Sequence, residues 1–252
     1  IITCDAIDIA SFNADPSIAW NYDVLAFGFV DANKDKDLTS STALVVEQFI
    51  QDGHGVLFGH DTIRDTTHPN FGYLAKYVNM DATGGPEWIC PGIDTVDIKI
   101  TKHGLLTNYP YQIGEVGTIL TIAPAHALAQ NPKGDIWMLF TSNNQFYLSS
   151  WNNCAMIQTG HTDSRATEDE QKILMNTLYY LAQNLHDTSW SDHMSQDLTG
   201  PTLPEISNLT TDSTNQSINF DMHATDLGDT YQYYIEATRI DTAEQTLSNI
   251  AT

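Results

Sequence analysis

Chemistry is most legible in this chain at two glycine-histidine steps. Gly59-His60-Asp61 follows the apolar run Gly55-Val56-Leu57-Phe58, and Gly160-His161 follows Ala155-Met156-Ile157-Gln158. Glycine at the end of a strand permits a tight turn that presents the next side chain. An imidazole presented in that way can act as a general base, a hydrogen-bond donor or a metal ligand. In an open parallel sheet, ligands bind outside the carboxyl ends of the strands, so His60, Asp61 and His161 form the candidate catalytic set. If their strands are neighbours, about 4.8 Å apart, the two histidines share one site in spite of their distance in sequence. The plain alternative is that each ring satisfies the carbonyls of its own loop.

Three further residues are candidate ligand-binding groups: His103, Glu115 and Trp88. His103 would join His60, Asp61 and His161 around a small polar ligand, Glu115 could supply a carboxylate, and Trp88 stands with Tyr109 in irregular polar sequence as a stacking platform. His54, His68 and His126 could add imidazoles, and three imidazoles with a carboxylate suit zinc. No close pair such as H-x-x-x-H is present, so any convergence depends on the fold. Asp31, Asn33, Asp35 and Asp37 have the spacing of oxygens at positions 1, 3, 5 and 7 of a calcium loop. Lys36 stands where such a loop has glycine and Thr42 where it has glutamate, which makes this a weak Ca²⁺ candidate beside its reading as an Asp-rich turn. Cys154 precedes an apolar run and reads as a small buried hydrophobe. Cys90 has no basic neighbour to activate it, and no G-x-S-x-G elbow occurs.

The elements that must position these residues alternate between buried strands and amphipathic helices, the pattern of an α/β sheet with covering helices. Tyr22 to Val30 and Gly55 to Gly59 read as strands. Leu44, Val45, Val46, Phe49 and Ile50 make the helix between them, and the unit is expected to be a right-handed parallel crossover. Gly134 to Phe140 and Gln145 to Ser150 read as a hairpin around Thr141-Ser142-Asn143-Asn144, with Ala155 to Gln158 as a further strand. Thr167-Glu168-Asp169-Glu170 is a capping box that opens a helix with Ile173, Leu174, Thr177, Leu178, Leu181 and Leu185 on one face. From His186 the chain is polar, and Gly200-Pro201-Thr202-Leu203-Pro204 breaks regular structure. Ile206 to Thr210, Ser217 to His223 and Tyr231 to Thr238 then alternate as strands. The expected organisation is an α/β domain over 1–186, a linker over 187–204 and a partial immunoglobulin- or fibronectin-like β domain over 205–252.

The run Gly53 to Asp61 resembles the nucleophile-elbow segment of class I glutamine amidotransferase-like proteins, and Tyr22 to Phe29 is similar to the strand before it. True amidotransferases carry cysteine at the elbow; here the matching residue is His60, as in the ThuA-like branch. Lys102-His103-Gly104-Leu105-Leu106 with Gly114-Glu115 is similar to the middle segment of that branch, and Gln158-Thr159-Gly160-His161 to its closing strand and turn. Tyr22 to Thr62 and Trp151 to Leu181 resemble more closely an uncharacterised family of large bacterial surface proteins, in which such a domain precedes immunoglobulin-like repeats. The resemblance implies a flavodoxin-like, three-layer, doubly wound sheet without glutaminase chemistry. It also implies neighbouring domains in a larger chain and, by analogy with the ThuA-like branch, a carbohydrate as the ligand class.

Composition narrows the setting. Against 32 acidic side chains stand 10 basic ones, for a net charge of -22 over 252 residues. Such a chain is repelled by phosphate backbones and anionic bilayers, and no apolar run reaches the roughly 20 residues of a membrane span. Nucleic acid and membrane insertion are therefore excluded as expectations. At 41% hydrophobic residues the chain is also too apolar for a disordered acidic tail. It opens Ile1-Ile2-Thr3 with no signal-like run, which suggests a mature or excised fragment, and any export signal would lie upstream. Acidity, scarce lysine and the trailing β segment point to an extracellular or cell-surface protein. Two functions stand open: a domain with a small polar-ligand pocket, and a non-catalytic structural or adhesive module.

Overall fold

Seven strands make one mixed sheet, in the order β1-β2-β9-β8-β7-β4-β5. They are β1 (Val24–Phe27), β2 (Gly55–Phe58), β4 (Val96–Ile100), β5 (Ile119–Ile122), β7 (Asp135–Phe140), β8 (Phe146–Trp151) and β9 (Cys154–Ile157), with a separate short pair of β3 (Trp88–Ile89) and β6 (Ala127–Leu128). The computed structural model describes residues 2–29, 36–60, 62–63, 68–80, 88–89, 95–125, 127–128, 132–159, 166–183, 205–212, 214, 217–223, 234–240 and 245–251.

The expected crossover is present: β1 pairs parallel with β2, Val24 opposite Gly55 and Phe27 opposite Phe58. Between them runs α2 (Ser40–Gln51), whose first turn is capped by Thr39 accepting from the amide of Thr42. It buries Ala43, Val46, Phe49 and Ile50 and leaves Leu44 exposed, so its apolar face is rotated by a residue from the stripe expected to include Leu44. On the other side of β2, β9 also runs parallel, with Val56 opposite Cys154 and Phe58 opposite Met156.

From β9 onward the sheet alternates direction. β8 is antiparallel to β9, β7 to β8, β4 to β7 and β5 to β4. The doubly wound parallel sheet expected from the sequence is thus parallel only over three strands, because β7, β8 and β9 are joined by short hairpin turns, which cannot connect parallel neighbours. β4 and β5 fall outside the expected elements, although Val96, Ile98 and Ile100 alternate as buried positions with Asp97 and Lys99.

Helices cover both faces. One apolar cluster joins Val56, Phe58, Cys154, Met156 and Phe146 to α2, to α3 (Pro69–Tyr73) and to the 3-10 turn Leu74–Val78. The other joins Leu57, Ala155, Ile157, Leu148 and Trp137 to α5 (Glu168–Ala182) and to α4 (Leu105–Asn108). Consecutive residues of β2 and β9 alternate between the clusters, as the pleat requires. Register irregularities between β7 and β8 at Trp137 and Tyr147 are β-bulges. They turn both aromatic rings to the α5 side, where Trp137 meets Tyr180 edge-on at 5.7 Å between centroids. Trp137 is fully buried.

The chain divides into two compact units, Ile1–Leu198 and Thr199–Thr252. The second contains two separate antiparallel pairs, β10 (Glu205–Asp212) with β11 (Ser217–His223), and β12 (Tyr234–Ile240) with β13 (Gln245–Ala251). Strand content is as expected, but among the described residues the pairs form two two-stranded sheets and no sandwich. No helix among the described residues is long and apolar enough to cross a membrane.

Candidate functional site at the carboxyl edge of the parallel strands

The ends of β1 and β2 approach unusually closely. Gly59 donates from its amide to the Phe27 carbonyl at 2.6 Å, and a methyl group on Gly59 would run into the carbonyl oxygen of Gly28. Only glycine fits there. The Gly59 carbonyl in turn accepts from the Thr62 amide at 3.2 Å and from its hydroxyl at 2.7 Å, closing a turn that carries His60. His60 is fully buried. A tight turn therefore leaves β2 directly, and the histidine that it carries is enclosed. Asp61 and His161 lie outside the described residues; their strands β2 and β9 are parallel neighbours.

The end of β9 was expected only as the approach to His161, yet it holds the most informative groups. Cys154 and Met156 face the α2 side and Ala155 and Ile157 the α5 side, so alternation sends Gln158 to the α2 side and Thr159 to the α5 side. Thr159 donates its hydroxyl to the Glu170 carboxylate. That carboxylate, fully buried, also accepts from the Tyr147 hydroxyl at 3.3 Å and the Ala123 amide at 3.2 Å. Burial first, and then the Glu170 charge, push the Tyr147 phenol well above its ordinary range, so Tyr147 stays a donor. The capping box is therefore half realised: Thr167 caps the Glu170 amide at 3.2 Å, while the Glu170 side chain turns inward to tie the ends of β5, β8 and β9 together.

Gln158 differs completely. It is fully buried, and neither its amide nitrogen nor its amide oxygen has a hydrogen-bond partner among the described residues. The hydroxyl of Ser149, on the adjacent β8, is in the same condition. Ser149 pairs with Met156, which places it on the α2 side, diagonal to Gln158. His60 and Gln158 each stand two residues beyond the register pair Phe58 and Met156. An amide and a hydroxyl thus occupy adjacent strands at one end of an otherwise apolar face, and the turn that carries His60 leaves the strand beside them. An unpartnered buried polar group costs about 1 to 3 kcal/mol, and such groups in folded proteins call for a specific explanation. Sequence reading named Gln158 only as a strand residue; glutamine closing an apolar strand is the signal that it carried.

The remaining candidates lie elsewhere. Because β4 runs opposite to β2 and β9 and lies four strands from β2, His103, three residues past its end, stands at the other edge of the sheet from His60, about 15 Å along the strands and about 19 Å across them. There its Nε2 lies 3.5 Å from a Glu115 carboxylate oxygen and 2.9 Å from the Asn108 amide. So His103 and Glu115 come together with each other but not with His60. Trp88 lies in β3, with its indole outside the described residues. Of the calcium-loop set, Asp31, Asn33 and Asp35 lie outside the described residues. Asp37 accepts from the amides of Asn70 and Phe71 and from the Asn70 side chain at 2.9 to 3.0 Å, and its carbonyl accepts from Asn13 at 3.1 Å. These bonds tie Asp37 to the start of α3. Among the described residues no three side chains of the His, Cys, Asp or Glu type converge as a metal site. His54 stacks on Phe49 at 4.3 Å, a packing role, and burial pushes the Cys154 thiol far up, which suppresses its nucleophilic form.

No protein-family model matches the chain, and neither the curated proteins nor the solved structures contain a significant match to it.

Proposed function

We propose that the α/β unit is a small-polar-ligand-binding domain of an exported bacterial surface protein, with its site at the carboxyl edge of β2 and β9. Gln158 and Ser149 would bind the ligand from the sheet, and His60, Asp61 and His161 would complete the site. The observation that carries this reading is the fully buried Gln158 amide, with no partner on either atom among the described residues. A carbohydrate is the first ligand class to try, on the strength of the resemblance to the ThuA-like branch; hydroxyls that both donate and accept match an amide that does the same. Histidine at the elbow cannot form the thioester of glutamine hydrolysis, so the reading is of binding without glutaminase chemistry. In architecture the parallel crossover supports a flavodoxin-like relative of the class I amidotransferase-like superfamily, and the two trailing hairpins support an immunoglobulin-like neighbour. Net charge supports the extracellular setting.

One substitution tests the site without knowledge of the ligand. Gln158→Met keeps the side-chain volume and removes both polar atoms, so the unliganded protein should gain about 1 kcal/mol in chemical denaturation. A loss of stability would mean that the amide serves the fold, and the site reading would fall. The full burial of His60 favours a second reading, a structural or adhesive module without a ligand, and that is the reading a destabilised Gln158→Met would leave standing.

A further inference from the structure

At the opposite edge of the sheet two braced loops bring two side chains, those of Asn108 and Glu115, to one imidazole nitrogen, His103 Nε2. The first loop leaves β4 through Thr101, whose amide and hydroxyl both donate to carbonyls of β7, those of Trp137 and Ile136, at 2.8 Å. It then passes His103 and enters α4, where Gly104 and Thr107 bond each other in both directions at 3.0 Å. Asn108 closes α4. Behind it the buried Asn176 of α5 donates to the carbonyls of Leu106 and Tyr111 and accepts from the Tyr111 amide. A second loop carries Glu115 in a tight turn, with the Thr118 amide donating to the Glu115 carbonyl at 2.9 Å and Gly117 donating to Ile100 at 2.9 Å. Gly114 holds a φ of +133° beside the Thr118 side chain, a conformation that favours glycine. Neither loop is free to carry its side chain away.

We propose that His103 Nε2, the Glu115 carboxylate and the Asn108 side-chain amide form a binding site for a divalent transition-metal ion of the zinc class. Two of its donors are of the usual metal-ligating kind and the third is an amide. The His103–Glu115 spacing fits: ligands at about 2.0 to 2.2 Å from a tetrahedral zinc ion lie roughly 3.3 to 3.6 Å from each other, and His103 Nε2 stands 3.5 Å from Glu115 Oε2, whereas Asn108, 2.9 Å from the same nitrogen, must draw back by a few tenths of an ångström to admit the ion. That separation is long for a hydrogen bond. Asn108 Nδ2, at 2.9 Å, donates to His103 Nε2 in the tautomer that protonates Nδ1, so a metal would take over the lone pair that this hydrogen bond now occupies. Half a turn of the Asn108 amide exchanges its donor for Oδ1, a metal-compatible oxygen, with no change in shape. His103 and Glu115 side chains are 34% and 72% exposed, which leaves the remaining coordination position to water or to a ligand from outside. The strongly negative chain concentrates divalent cations at its surface. Imidazole nitrogen with carboxylate and amide oxygen selects zinc and its transition-metal neighbours over calcium, which takes oxygen ligands alone.

The experiment uses the whole chain, titrated with Zn²⁺ by calorimetry and with Co²⁺ by its visible absorption. One saturable site in the micromolar range is expected, weakened by about tenfold or more in His103→Ala and in Glu115→Gln and unchanged in His223→Ala, in the second unit. In unaltered protein, nitrogen NMR should show Zn²⁺ moving the His103 Nε2 resonance while Nδ1 keeps its proton. Absence of saturable binding, or His103→Ala titrating as the unaltered protein does, overturns the proposal. So does a Zn²⁺ response confined to other histidines.

Discussion

Gln158 and Thr159 are neighbours in sequence that leave opposite faces of the sheet, and the two faces are fastened in opposite ways. On the α5 face the polar groups are inside. Glu170 takes three donors from the ends of three strands, and Asn176 pins the loop after α4. Trp137 donates to Ser150 at 2.8 Å. On the α2 face the fastenings between helices are near the surface: Asp37 holds the start of α3, and Glu47 of α2 accepts from Tyr73, Lys76 and Tyr77 at 2.6 to 2.8 Å. Beneath them Gln158 and Ser149 have no partners among the described residues. A face tied from within cannot open without exposing satisfied buried groups. A face tied at its rim exposes, on opening, polar groups that gain partners in water. Apart from the end of α2, which the buried Asn153 ties through the carbonyls of Ile50 and His54 at 2.8 and 2.6 Å, the α2 face is the one whose cover is expected to separate from the sheet at lower cost.

The largest effect should come from the inner fastening. Glu170→Ala strands the Ala123 amide and the hydroxyls of Tyr147 and Thr159, and should cost about 3 to 5 kcal/mol at neutral pH, read from chemical denaturation. A loss below about 1 kcal/mol would show that the α5 face is not held as described. Because it removes a carboxylate that satisfies others, the effect is opposite in sign to that of Gln158→Met.

Asp37→Ala, at the rim of the other face, should cost about 1 to 2 kcal/mol, the value of a helix-capping contact. It should also speed amide exchange in the 68–80 segment while α5 amides stay protected. Equal acceleration in both regions would erase the distinction between the faces. The same stability loss in Ca²⁺ and in chelator would place Asp37 in the fold and outside any calcium loop.

The smallest effect is a pH dependence. Its bonds with Lys76 and then Tyr73 hold the Glu47 carboxyl down at about 2 against an ordinary 4.5. A depressed carboxylate contributes stability that is present above its unfolded value and lost as pH falls through the folded one, so the contribution fades between about 4.5 and about 2. Lys76 is half exposed, and solvent screening keeps the contribution small. Glu47→Gln should therefore flatten the acid side of the stability curve in that window and leave its shape above pH 6 unchanged. A curve parallel to that of the unaltered protein down to pH 2 would remove Glu47 from the rim.

Local pattern alone determined much of this protein. Apolar runs ending in glycine located β2 and β9, the apolar stripe from Leu44 to Ile50 and the Thr167 cap located α2 and α5, and the β1-α2-β2 unit was legible because a parallel crossover leaves few alternatives. Sequence also placed His103 beside Glu115 as candidates of one kind. It could not tell that they share one edge of the sheet and His60 the other, because strand direction is set by how β4, β7 and β8 pair, and pairing is a long-range choice. Nor could it separate Glu170 from Gln158. In sequence one is a capping glutamate and the other a polar residue that ends a strand. Their difference arises from what meets each side chain: three donors brought from strands far apart in one case, and no polar partner among the described residues in the other. Side-chain type fixes what a group can bond, but only the packed structure decides whether a partner is there.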